Sequence, residues 1–149
     1  IMARASYLEQ NSGNTFGHKL KVEPVKLART LTNDDSGKVF MLDSAGGAYS
    51  ITLPTAAGAA AGEQGVYYKF IVEEETPTAA ITIAAGSAII SMVQKDAGGD
   101  ASNSTAGTQV SNLVIGTSAQ KGDVIELMFF NGEYVGTVLS GINDAITTS

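Results

Sequence analysis

The chain has 149 residues, 44% of them hydrophobic and none of them cysteine, and a formal net charge of −6. That length supports one domain with its own core, and the missing thiols exclude a disulfide framework, a zinc–thiolate centre and a cysteine nucleophile. No apolar run approaches the roughly 18 residues of a membrane-crossing helix, and an acidic body repels a nucleic-acid duplex; neither membrane nor nucleic acid is an expected partner.

Charge is unevenly spread. Residues 1–30 carry a net +3, from Arg4, Lys19, Lys21, Lys26 and Arg29 against Glu9 and Glu23, whereas residues 31–149 carry a net −9. The leading residues show no sustained period, and Asn11-Ser-Gly-Asn interrupts them. Tyr7, Leu8, Phe16 and Leu20 are isolated large apolar side chains that need a partner surface. An extended arm over residues 1–24 and a folded body over 25–149 are therefore expected, the basic arm docking on something negative. No basic segment followed by an apolar one opens the chain, so export through a signal peptide is not expected.

Short strands follow in order. Val25, Leu27 and Leu31 alternate with polar positions, and Asn33–Gly37 is a turn cluster. Val39–Leu42 and Tyr49–Leu53 flank Asp43-Ser-Ala-Gly-Gly, where Gly46 and Gly47 are free to take positive φ. Pro54 ends the second of these by removing a ladder donor. Thr55–Gly65 holds three glycines in eleven residues, which favours a turn over a helix. Val66–Glu73 is rich in β-branched and aromatic residues, and Val66, Tyr68, Phe70 and Val72 share one face as a core stripe. Ala80–Ala84 and Ala88–Val93 surround Gly86. Lys95–Gly107 reads as a long exposed loop by composition. Gln109–Ile115 resumes strand, and Leu127–Phe130 and Tyr134–Leu139 flank Asn131-Gly132, the preferred type I′ hairpin turn. The expectation is an all-β, antiparallel β-sandwich or jelly-roll-like domain of about eight or nine short strands.

Candidate chemistry is sparse. His18, the only histidine, lies in the arm, where a general base lacks a fixed partner. Glu73, Glu74 and Glu75 alternate faces on a strand and cannot converge, and Asp34/Asp35, Asp43 or Asp123/Glu126 would make a glycosidase-type pair only by tertiary proximity. Asp96, Asp100 and Asn103 offer oxygen atoms to a hard cation, but at a spacing unlike the calcium loop and with no following Glu. Gly46-Gly47 and Gly98-Gly99 lack the Lys-Ser/Thr of a phosphate loop. Neither a catalytic centre nor a cofactor nor a metal is expected.

Four stretches together resemble a β-sandwich domain that recurs in tailed-phage virion proteins, above all capsid decoration (cement) proteins and head or tail fibre modules. They are Leu31–Phe40 (LTNDDSGKVF), the small-residue turn Ser44–Ala48, the strand Ser50–Pro54 (SITLP) and Gly122–Leu127 (GDVIEL). The resemblance spans about Lys26 to Asn143 and departs at Tyr134, near where the family carries Trp. It implies a homotrimer on the capsid surface, formed in the host cytoplasm, that bridges copies of the major capsid protein. In that reading Arg4, Lys19 and Lys21 pair with capsid carboxylates, and Tyr7 and Phe16 are apolar anchors. The alternative it implies is a fibre or receptor-binding module that meets a host glycan or protein through residues 55–65 and 95–107.

Overall fold

Period-two burial organises the chain. The computed structural model describes residues 19–96 and 104–149, and these form twelve strands: β1 (Val22–Val25), β2 (Arg29–Thr30), β3 (Val39–Leu42), β4 (Tyr49–Thr52), β5 (Tyr67–Val72), β6 (Ile81–Ala84), β7 (Ile90–Asp96), β8 (Ser104–Val110), β9 (Asn112–Ile115), β10 (Val124–Phe130), β11 (Glu133–Ser140) and β12 (Ile146–Thr148). A 3₁₀ turn over Asn33–Asp35 is the sole helical element among the described residues.

The strands make a seven-stranded sheet in the order β1-β3-β5-β10-β11-β7-β8 and a five-stranded sheet in the order β12-β9-β6-β4-β2. Both sheets are mixed, which corrects the expected antiparallel arrangement. From β1 to β6 the chain alternates between sheets, so the same-sheet neighbour of each strand is the next but one. That neighbour is reached after crossing out and back, and it runs in the same direction. The β1–β3, β3–β5, β2–β4 and β4–β6 pairs are accordingly parallel. The turn at residues 43–48 thus carries the chain from one sheet to the other instead of closing a hairpin. Of its two glycines, Gly47 takes the positive φ of 111°.

Twelve strands replace the expected eight or nine for three reasons. The single strand read across Val25–Leu31 is two, β1 and β2, one in each sheet. The segment read as a loop, Lys95–Gly107, is strand at both ends, because β7 and β8 pair antiparallel through Lys95 and Ser104 with a register shift at Met92/Val93. Tertiary pairing there overrides a weak local preference. β12 adds a short edge strand on β9.

Alternate side chains from both sheets enter one core. The expected stripe of Val66, Tyr68, Phe70 and Val72 is buried, and it joins Ile51, Ile81, Ile83, Leu113 and Ile115 from the smaller sheet. Phe40 and Phe70 stack at 5.5 Å, and Phe129 meets Tyr134 edge-on at 5.0 Å. Three buried tyrosines keep their hydroxyls satisfied: Tyr49 donates to the Val25 carbonyl (2.7 Å), Tyr68 to Thr32 (2.8 Å) and Tyr134 to Pro54 (2.7 Å). Burial pushes the Tyr49 hydroxyl up to about 12 and raises those of Tyr68 and Tyr134 as well. The Asn131-Gly132 hairpin forms as expected, with φ of 52° and 85° at its two central residues, as a type I′ turn requires.

Candidate interaction surface

Four of the candidate carboxylates, Asp35, Asp43, Asp123 and Glu74, are committed to turns. Asp35 Oδ2 accepts from the Thr32 N–H at 3.0 Å, and Asp43 Oδ1 from Ala45 N–H at 2.8 Å. Asp123 accepts from the N–H groups of Gln120 (2.9 Å) and Gly141 (2.7 Å) and from the Ser140 hydroxyl (3.0 Å). Glu74 accepts from the fully buried Ser44 hydroxyl at 2.6 Å, and that oxygen in turn accepts from Thr78 N–H. A carboxylate with its lone pairs occupied in this way is a turn staple. No group of three or more His, Asp or Glu side chains that could hold a metal occurs among the described residues. His18, Asp100 and Asn103 lie outside those residues.

Around β1 and β2, four charges interlock. Arg29 binds Glu23 and reaches Asp35 Oδ1 at 3.0 Å. Lys38 binds Asp35 and lies 3.3 Å from Glu23. The Arg29 guanidinium also sits 5.4 Å from the Phe40 ring centroid, within cation–π range. The hydrogen bond from Arg29 holds Glu23 below its ordinary pKa, against burial. Burial pushes Asp35 upward, but Lys38, the Thr32 N–H and Arg29 together outweigh it and leave Asp35 lowered. Lys26 pairs with Asp43 at 2.7 Å and Lys69 with Glu126 at 2.7 Å.

Lys19 and Lys21 behave differently. Both are exposed, and among the described residues neither forms an ion pair; the same holds for Lys95 and Lys121, which border a shallow hollow of about 460 Å³ beside Asp123. Lys19 and Lys21 lead directly into β1, with Leu20 and Val22 also exposed between and after them. Of the residues expected to contact a capsid, Arg4, Tyr7 and Phe16 lie outside the described residues. Lys19 and Lys21 stand immediately before β1, an edge strand of the larger sheet.

A second surface escaped the reading of the sequence. Residues opposite one another in a ladder share a face, so register defines the outward side of the seven-stranded sheet. One row crosses it as Pro24, Met41, Ile71, Val124, Leu139 and Lys95. The next is Val22, Val39, Lys69, Glu126, Thr137 and Val93, and a third is Tyr67, Met128, Val135 and Ser91. Val93 and Leu139 are each 48% exposed, Met128 40%, and Phe130, beyond Met128 on β10, 57%. The outward side of the five-stranded sheet is built from different residues. Ser50, Thr52, Thr82, Asn112 and Thr147 dominate it, as suits a face in water. The signal for the apolar face was present in the nearly continuous apolar runs YYKFIV and VIELMFF, which exceed what one buried face needs. No protein-family model matches the chain, and no curated protein matches its sequence.

Proposed function

We propose that the chain is a structural protein of a tailed-phage virion. Its β-rich body is a two-sheet sandwich, and it binds the outer surface of the shell as a homotrimer, bridging neighbouring copies of the major capsid protein through the leading residues up to Lys21, ahead of β1. The single core shared by both sheets supports the sandwich, and the four stretches described above support the family. One observation carries the binding mode. Lys26, Arg29, Lys38 and Lys69 are neutralised by the body's own acids, whereas Lys19 and Lys21 stand exposed where the arm begins and have no acid partner among the described residues.

The mechanism is mass action. A protein that binds the assembled shell, and not its separated subunits, stabilises the shell by its binding free energy. Three arms on one trimer add avidity without any new kind of contact. Incubation with empty expanded shells followed by sedimentation tests the proposal. The intact chain is expected to pellet with shells, K19E/K21E to bind about tenfold more weakly, and a chain lacking residues 1–18 to lose most of its binding. Undiminished binding by both variants would remove the arm from the account.

A further inference from the structure

We infer that the outward face of the seven-stranded sheet is where copies of this chain meet. The inference rests only on the self-association within the proposed function and needs no capsid. Parallel strands are normally covered on both sides, and here the parallel β1–β3–β5 and β7–β11 ladders have core on one side alone. The other side carries Met41, Ile71, Val124 and Leu139 in one row and Met128 and Val135 in another, with the self-paired Lys69 and Glu126 in the row between. Six strands at about 4.8 Å spacing, averaging about 20 Å in length, make a face of roughly 600 Å². That is of the same order as the roughly 800 Å² each partner contributes to a standard interface.

Charge selects the occupant. The chain as a whole is at −6, yet the face carries Lys69 and Lys95 against Glu126 and Glu133 and is neutral. Lys69 already holds Glu126, and Glu133 accepts from the Ser91 hydroxyl at 2.7 Å. A strongly basic or acidic partner gains nothing from such a face. A second copy brings the same apolar rows and the same self-compensated pair, so neither side buries an unpaired charge. Symmetric closure then caps the number of copies.

Sedimentation-velocity and native-mass measurements on the full chain test this without shells. The wild type is expected to be a closed oligomer at micromolar concentration. M128K/L139K is expected to be monomeric at the same concentration, with an unchanged far-ultraviolet dichroism spectrum, and T147K, on the polar sheet, to remain oligomeric. Should M128K/L139K fail to fold, V93T/M128T keeps strand-compatible, uncharged side chains and is expected to dissociate at least about fivefold more readily. A monomeric wild type overturns the inference, as does an oligomer that survives the face variants. A wild type that is monomeric but associates once residues 1–18 are removed would assign the face to the chain's own leading segment, and also overturns it. Capsid binding is read separately, so failure here leaves the arm's role standing or falling on its own test.

Discussion

Lys69 and Glu126 lie opposite each other on β5 and β10, with Nζ 2.7 Å from Oε1, in the middle of a sheet face whose flanking rows are apolar. The hydrogen bond to Glu126 raises the Lys69 ammonium above its ordinary pKa. In the isolated chain both side chains reach water, so a double-mutant cycle with K69A and E126A should give a coupling of only about 0.2–1 kcal/mol. Where copies cover the face, the same pair is desolvated and its coupling grows. Thermal unfolding of the cycle at low and high protein concentration reads this. A coupling independent of concentration would mean that the pair stays in water.

Removing the Tyr134 hydroxyl strands the Pro54 carbonyl that it reaches from the opposite sheet. Tyr134→Phe keeps the ring packed on Phe129, so the loss should be about 1 kcal/mol, with the melting temperature falling by roughly 2–4 °C. A change within error would show that water replaces the bond.

Gly136 is the least replaceable residue of the closing hairpin. A Cβ there would lie 1.8 Å from the Glu126 carbonyl oxygen and 3.0 Å from the Leu127 Cα, all of it backbone. Gly136→Ala must push β10 and β11 apart, and a loss of more than about 3 kcal/mol is expected. Gly132, with φ of 85° and open space beside it, should tolerate Ala at a smaller cost, set by backbone strain alone. Urea titration of both variants checks the order.

Acid should loosen the packing around β1 and β3. Arg29 lowers the Glu23 pKa, Lys38 and Arg29 lower that of Asp35 against burial, and Lys26 lowers that of Asp43. A carboxylate lowered in the folded state contributes stability that is complete above its unfolded pKa, near 4, and is lost as pH falls through the folded value. The melting temperature should therefore hold from pH 7 to about 5 and fall below about 4. E23Q should flatten part of that fall. A transition centred near pH 6 would point to a different group.

The register of alternation was legible in the sequence, and its three-dimensional use was not. Tyr68, Phe70 and Val72 announced a buried stripe, and Asn131-Gly132 announced its hairpin, because both signals are local. Which sheet a strand joins is a long-range choice, so β1 and β2 merged into one and the parallel ladders went unseen. The stretch 104–107 carries small residues that resemble loop, and only pairing with β7 makes it strand. The basic Lys19 and Lys21 were legible as an exposed pair. The apolar outer face was legible only as an excess of apolar residues in YYKFIV and VIELMFF, since Met128 meets Val135, and Leu139 meets Val124, only once β10 and β11 are in register.

Scanning calorimetry of empty expanded shells, titrated with this protein, reads shell stabilisation itself. The disruption temperature of the shell should rise with added protein and level off at a fixed ratio of chains to capsid subunits, as binding to the assembled state alone requires. A disruption temperature that stays constant up to a large excess of protein would contradict it.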